Sequence, residues 1–149
     1  MPKFNFRLQP VLNIRNQQEE NLKNEMGKAI QCLEAEKEKL MSLENENDQI
    51  VDEFNKKIKR TTVQDLLQFN DYLEFLKVKI KSQKENVNKA VINVDKIREE
   101  LVKAVQKRKI LDKLKEKKEE EYIREEKKLE HKANDEIVSY DYKDGLPGE

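Results

Sequence analysis

The sequence predicts an all-α protein in which two long helices fold back on each other as an antiparallel coiled-coil hairpin. No glycine or proline occurs between Lys28 and Asp144, and 42% of the residues are charged. So long a stretch without helix breakers, rich in Lys, Glu and Leu, favours continuous α-helix. Only 36% of the residues are hydrophobic, so we expect the apolar side chains to be buried in a narrow seam.

The first helix is predicted from about residue 6 to residue 59. Apolar residues recur there in alternating steps of four and three, the spacing that keeps one stripe facing a partner helix. Ten of the fourteen positions in this stripe are apolar; the positions are Leu8, Leu12, Arg15, Glu19, Leu22, Met26, Ala29, Leu33, Glu36, Leu40, Leu43, Asn47, Ile50 and Phe54. Gly27 lies inside this helix and indicates either a bend or close contact, or a tolerated surface glycine.

The second helix is predicted from about residue 63 to residue 137, after a turn at about 60–62. Twelve of fourteen positions in its stripe are apolar; the positions are Leu66, Phe69, Leu73, Leu76, Ile80, Gln83, Val87, Ala90, Val94, Ile97, Leu101, Ala104, Arg108 and Leu111. The phase of the first stripe does not continue into the second. Thr61 with Gln64, and Thr62 with Asp65, both fit a capping box at the start of a new helix.

Two arrangements would bury these stripes. One is a hairpin within one chain, covering residues 1–138; the other is a continuous helix that forms a parallel dimer, with the phase break as a stutter. The caps favour a true turn and therefore the hairpin. In the hairpin, Lys115 to Glu136 has no partner segment and is expected to be a solvated, frayed helix, followed by a disordered tail at 139–149.

Composition disfavours several classes of function. The 31 basic and 31 acidic residues cancel, whereas nucleic-acid binding needs a sustained basic face. Cys32 is the sole cysteine, so no intramolecular disulfide is expected, and no apolar run approaches the length of a membrane span. The start MPKFNFRLQP lacks the apolar stretch of a secretory signal. The sequence therefore predicts a cytoplasmic protein without integral membrane insertion.

The residues that could carry chemistry indicate no active site. His131, the sole histidine, has Asp135 one turn away, but a single exposed histidine in a charged segment is typical of a solvated surface. No phosphate-binding glycine loop, nucleophile elbow or CxxC spacing occurs. We therefore predict a protein that is not an enzyme and that needs neither cofactor nor metal.

Near the predicted turn, off-seam apolar residues form a candidate partner surface. Leu67, Tyr72, Phe75 and Val78 lie beside the seam of the second helix. A neighbouring group of exposed apolar residues that includes aromatic rings is typical of an interaction site. The alternative is that these side chains pack against the connecting loop.

A second candidate surface is a basic foot at the end of the hairpin away from the turn. Eight basic residues lie between Lys103 and Lys118, and off-seam apolar residues such as Val11 and Ile110 interleave with them. This pattern favours docking into an acidic protein socket; the alternative is a solvated charge run. The residues assigned to this surface are Arg7, Val11, Arg15, Arg108, Lys109 and Lys113.

The chain resembles the flagellar export protein FliJ family at three places. These are the N-terminal residues Phe4, Phe6, Arg7, Leu8, Gln9, Val11, Leu12 and Arg15; the second-helix entry Asp65, Leu66, Leu67, Phe69, Tyr72 and Leu73; and Lys107, Arg108, Lys109, Leu111, Leu114 and the charged run through Tyr122. The resemblance implies an antiparallel coiled coil of the flagellar type III export apparatus, similar to the γ stalk of rotary ATPases.

The resemblance also implies partners and a site. Members of that family bind the hexameric ring of the export ATPase, contact the cytoplasmic part of the export gate and are linked to substrate chaperones. The gate-contacting segment of the family falls at the start of the second helix, where Tyr72 and Leu76 match an aromatic residue and a leucine. Together with the off-seam apolar residues, this predicts a gate-binding site at Leu67, Tyr72, Phe75, Leu76 and Lys79. Lys79 and Gln83 depart from the alanine and histidine of some members.

These observations predict a non-catalytic stalk between ATPase and gate, associated with the inner face of the cell membrane at the flagellar base and required for motility. The alternative is a generic cytosolic coiled-coil scaffold that homodimerises and has no role in export. A third possibility, a helical nucleic-acid-binding arm like those of tRNA synthetases, is disfavoured by the zero net charge.

Overall fold

The computed structural model describes the backbone of residues 3–145 and the side chains of residues 3–142. Within these residues the chain forms two α-helices, α1 (Gln9–Lys57) and α2 (Val63–Gly145), and no β-strand. The contacts divide the chain into a turn unit, Glu19–Lys103, and a terminal unit, Met1–Gln18 with Ala104–Glu149. No helix in the described part of the chain is long and apolar enough to span a membrane.

The chain reverses direction in the turn unit between Lys57 and Val63. The amide of Arg60 donates to the carbonyl of Lys57 at 2.9 Å, and the hydroxyl of Thr62 accepts from the amide of Asp65 at 3.2 Å. Thr62 is therefore the N-cap of α2, and of the two predicted capping boxes the chain uses the second. This reversal confirms the predicted hairpin, and the alternative of one continuous helix is wrong.

The seam of the turn unit joins α1 to α2 through apolar and polar contacts. The rings of Phe54 and Phe69 meet edge to face with their centroids 5.8 Å apart. Further along, the side-chain amide of Gln83 donates to the backbone carbonyl of Glu36 at 2.9 Å and also to its carboxylate. Leu76 is 1% exposed and is the most deeply buried large side chain among the described residues. The unit is thus held by intrachain contacts between the two predicted stripes.

Every position of the two predicted stripes is buried or half-buried, in the turn unit and in the terminal unit alike. The polar positions within the stripes follow the same pattern, since Glu19 and Gln83 are both buried. The 4-3 spacing therefore located the seam residue by residue.

The terminal unit differs from expectation at both of its chain ends. The first helix begins at Gln9 rather than near residue 6, because Phe4 to Leu8 adopt a non-helical conformation. The second helix was expected to end near residue 137, with a disordered tail at 139–149, but it continues to Gly145. No helix breaker precedes Gly145, so nothing in the backbone ends the helix earlier. Residues 146–149 of the expected tail lie outside the described residues.

Gly27 is a surface glycine of α1, which decides between the two interpretations that the sequence left open. A Cβ atom built on this residue would meet nothing within 4 Å. No close contact therefore requires glycine, and the residue only lowers the helix propensity of α1.

We expect Gly27→Ala to raise the free energy of unfolding by about 1 kcal/mol, because alanine has the higher helix propensity. Thermal and urea denaturation followed by circular dichroism would measure the change. Gly27→Val serves as the matched variant, and its free energy of unfolding should rise less, since β-branched residues are weaker helix formers. A loss of stability in Gly27→Ala would contradict this prediction.

Candidate functional site

The turn unit carries an exposed apolar patch on α2, which we call the aromatic patch: Leu67, Tyr72, Phe75 and Val78. Their exposed fractions are 59%, 38%, 51% and 66%. Leu67, Phe75 and Val78 are each more than half exposed and do not pack beneath the connection between the helices. Tyr72, in contrast, lines a cleft together with Thr61 of the connection, so the loop-packing alternative is wrong for three of the four residues.

Tyr72 is anchored to the neighbouring helix by a hydrogen bond. Its hydroxyl donates to the carboxylate of Glu46 on α1. This hydrogen bond, followed by desolvation and the charge of Glu46, raises the pKa of Tyr72 above its ordinary value. The phenol thus stays protonated and hydrogen-bonded to α1 at neutral pH.

Phe75 of the patch contacts Tyr72 on one side and Lys79 on the other. The centroids of the Tyr72 and Phe75 rings are 6.1 Å apart with an interplanar angle of 33°. The ammonium nitrogen of Lys79 lies 4.9 Å from the centroid of the Phe75 ring, within cation–π range. Side chains held in this way lose less rotamer freedom when a partner covers them.

Leu76 does not belong to this surface, although the resemblance placed it in the gate-contacting segment. The side chain is 1% exposed and lies in the seam. Leu76 follows Tyr72 by one helical turn, but Leu76 is a position of the stripe and Tyr72 is not. Its contribution to any docking site is to support the patch from below.

The terminal unit contains the six residues assigned to the basic foot. Arg7 precedes α1 and is exposed, as are Lys109 and Lys113 on α2, while Val11 is 38% exposed. Arg15 is half-buried, and its guanidinium donates to the side-chain carbonyl of Gln18 at 3.1 Å. The unit therefore places all six residues within one compact part of the chain.

Arg108 differs from the exposed lysines of the foot. Its side chain is 26% exposed, and its guanidinium forms an ion pair with Asp112 at 2.5 Å, one turn along α2. Part of its charge is therefore already neutralised within the chain. The exposed cations at Arg7, Lys109 and Lys113 are the ones presented to solvent.

An N-terminal clasp, residues 4–8, packs on α2 and was missed by the sequence analysis. Phe6 is 7% exposed, and the rings of Phe4 and Tyr122 have centroids 5.6 Å apart. The expectation that residues 115–136 have no partner segment is therefore wrong for the part up to Tyr122. The alternation of Phe4, Phe6 and Leu8 with polar residues signals an extended segment with one apolar face, and could have indicated this packing.

A cleft of about 710 Å³ lies between the clasp and α2. Apolar and charged side chains line it; among them are Phe4, Phe6, Leu8, Leu114, Tyr122, Arg7, Lys118, Glu121 and Glu125. Desolvation, then a hydrogen bond to Glu126 and the charge of that residue, raises the pKa of Tyr122.

The residues that could support chemistry remain apart in the structure. Cys32 is exposed on α1, and His131 is exposed on α2. Among the described residues, no group of three or more His, Cys, Asp or Glu side chains is arranged to hold a metal ion. The features that stand out are thus the aromatic patch, the basic foot and the clasp.

The comparisons with known proteins agree with this architecture. The family model described as flagellar FliJ protein matches residues 4–145. The solved structure of a YscO homolog from Chlamydia trachomatis is similar in fold, with a TM-score of 0.63 and 24% sequence identity, over 95% of this chain and 96% of the other. No curated protein matches the sequence.

We predict that Glu46→Gln lowers the pKa of Tyr72 toward the ordinary value of 10.0, because the carboxylate that stabilises the protonated phenol is lost. Because the pKa is raised, the bond contributes fully to the free energy of unfolding below the ordinary pKa of tyrosine. This contribution is lost as the pH rises through the folded-state pKa of Tyr72. NMR titration of ¹³C-labelled tyrosine would measure the shift. Asp48→Asn removes a nearby α1 carboxylate as a control and should leave the pKa of Tyr72 unchanged.

For the clasp, we predict that Phe4→Ala with Phe6→Ala releases residues 4–8 from α2, because the buried aromatic surface that holds them is removed. The pKa of Tyr122 should then fall, since burial is the first cause of its elevation. Hydrogen exchange should speed up around Leu114 to Tyr122 and remain unchanged in the turn unit. Ile110→Ala, which truncates a side chain that is 67% exposed, is the control. Unaltered exchange in the double variant would contradict the packing described here.

Proposed function

Because the chain belongs to the flagellar FliJ protein family, we propose that it is a non-catalytic component of the flagellar type III protein export apparatus. In this role it binds the ring of the export ATPase as a central stalk and contacts the cytoplasmic domain of the export gate. The observation that carries the proposal is the family match over residues 4–145, on a hairpin with two exposed surfaces of different chemistry.

The aromatic patch is the proposed contact with the export gate. Tyr72 and Phe75 expose ring surface that the fold does not need for its own seam, and Leu67 extends the apolar area. Lys79 adds a cation beside Phe75. Aromatic side chains that are held in place before binding are the usual energetic centre of a protein interface.

The basic foot is the proposed contact with the export ATPase. Arg7, Lys109 and Lys113 present exposed cations, with Val11 as partly exposed apolar surface among them. An acidic socket on the ATPase would attract this surface over several ångströms before contact, which accelerates association and fixes the docking orientation. Arg15 and Arg108 are half-buried and support the surface from its edge.

The proposed location is the cytoplasmic side of the cell membrane at the flagellar base, reached through the gate rather than by insertion. Substrate chaperones are further proposed partners. The proposed function differs from that of a generic scaffold that homodimerises through its stripes, because the two stripes pack against each other within one chain.

Two sets of variants test the division of labour between the surfaces. Tyr72→Ala with Phe75→Ala should abolish gate binding and motility but leave helicity and ATPase binding unchanged, since both rings lie outside the seam. Arg7→Glu, Lys109→Glu and Lys113→Glu together should weaken ATPase binding by about tenfold or more and leave gate binding intact. Binding is measured by titration with the purified export ATPase and with the purified gate domain.

Salt dependence gives an independent check of the same assignment. Fields between exposed charges are screened beyond about 8 Å at physiological ionic strength, so the association rate with the ATPase should fall as salt is added. Gate binding through the aromatic patch should change little over the same range. If neither purified partner binds the wild-type chain, the proposed function is wrong; if each set of variants affects the other partner, the surfaces have been assigned in reverse.

A further inference from the structure

The last part of α2 carries an apolar stripe that is exposed, with no described residue packed over it. Leu129, Ile137 and Tyr140 are 66%, 59% and 67% exposed, and Ala133 is also exposed. Steps of four, four and three residues place these four side chains, which we call the C-terminal stripe, along one face of the helix. The clasp reaches α2 only as far as Tyr122 and Glu125.

The stripe has the pattern of half a coiled coil. Charged residues flank it, with Lys132 and Glu136 along one edge and Glu130 along the other. Charges beside an apolar seam select the partner helix and its direction. The identity of the partner can therefore be inferred from these charges.

We propose that the C-terminal stripe binds the same stripe of a second copy of this chain, with the two helices antiparallel and Ala133 at the centre. In this register Ala133 faces its own counterpart, and Leu129 of each copy faces Ile137 of the other. The small alanine side chains allow the two helices to approach closely at the centre of the contact.

The flanking charges are complementary in this arrangement. Antiparallel helices bring like edges together, so Lys132 of each copy lies next to Glu136 of the other. Each ion pair occurs twice because the contact is two-fold symmetric. A parallel pairing would instead place Glu125 beside Glu130 of the second copy, a like-charge contact. Charge thus favours the antiparallel direction.

The contact is short and mostly flanked by exposed charges, so it is expected to be weak and reversible. The contact uses neither the seam between the two stripes nor the surfaces assigned to the ATPase and the gate. The inference goes beyond the proposed function, because it assigns a self-association surface to a segment of α2 that has no role there.

Sedimentation velocity on the full-length chain over a range of concentrations tests the proposal. The wild type should show a monomer–dimer equilibrium, and Ile137→Asp should raise the dissociation constant by about tenfold or more, since it places a charge in an apolar layer. Val138→Asp is the matched control: Val138 is 65% exposed but lies off the stripe, so the dimer should persist. A wild-type chain that stays monomeric throughout overturns the proposal.

A charge swap tests the register. Lys132→Glu and Glu136→Lys should each weaken the dimer, and the two changes together should restore it, because the reciprocal ion pairs are rebuilt in reverse. Failure of the double variant to recover would contradict the antiparallel register.

Disulfide formation tests the direction of the helices, in a chain whose exposed Cys32 is replaced by serine. Ala133→Cys should form a disulfide-linked dimer, whereas Leu129→Cys should not, because its neighbour is Ile137 of the second copy. Efficient crosslinking of both variants would indicate a parallel pair and overturn the proposed arrangement. A monomeric wild type would overturn the self-association surface without bearing on ATPase or gate binding.

Discussion

The contact of Gln83 with Glu36 fixes the alignment of the two helices of the turn unit. Apolar seams can slide by one heptad and still bury similar side chains, but a buried amide that loses its acceptor remains unsatisfied. Gln83 donates both to the backbone carbonyl and to the carboxylate of Glu36, so a shifted register would cost these bonds. The positions of Phe54 against Phe69, and of Glu46 beneath Tyr72, follow from this alignment.

Most of the fold could be predicted from the sequence because it depends on local spacing. The positions of both stripes, from Leu8 to Phe54 and from Leu66 to Leu111, are buried or half-buried as the 4-3 pattern requires. The start of α2 at Val63 could also be predicted, since the hydroxyl of Thr62 accepts from the amide of Asp65 only three residues away. The clasp was harder to predict, because Phe4 and Phe6 precede the helix and their partner Tyr122 is distant in sequence. The end of α2 was placed too early because the residues after Ile137 are mostly weak helix formers, yet no proline or glycine interrupts the helix before Gly145.

The candidate surfaces were predictable in composition but not in detail. Apolar residues that lie outside the two stripes are left exposed by the packing of the seam. The spacing of the stripes therefore identified Leu67, Tyr72 and Phe75 as surface residues. The bond from Tyr72 to Glu46 depends on the alignment of the two helices, and the burial of Leu76 separates it from a surface to which the resemblance had assigned it. In the foot, the pairing of Arg108 with Asp112 distinguishes a supporting cation from exposed ones such as Lys109. The 4-3 spacing already placed Arg108 in the stripe and Lys109 outside it, but it did not reveal the pairing of Arg108 with Asp112.

The paired seams also restrict how the length of such a chain can change during evolution. Inserting one residue into a helix rotates everything beyond it by about 100°, which would turn the remaining stripe away from its partner. Between the turn and the clasp, insertions and deletions should therefore be tolerated in whole heptads, and matched in both helices so that facing layers stay level. Among the described residues, none forms a helix opposite the segment of α2 beyond Glu125. The hairpin therefore does not restrict length changes in that segment, whereas the hairpin body should change by sevens.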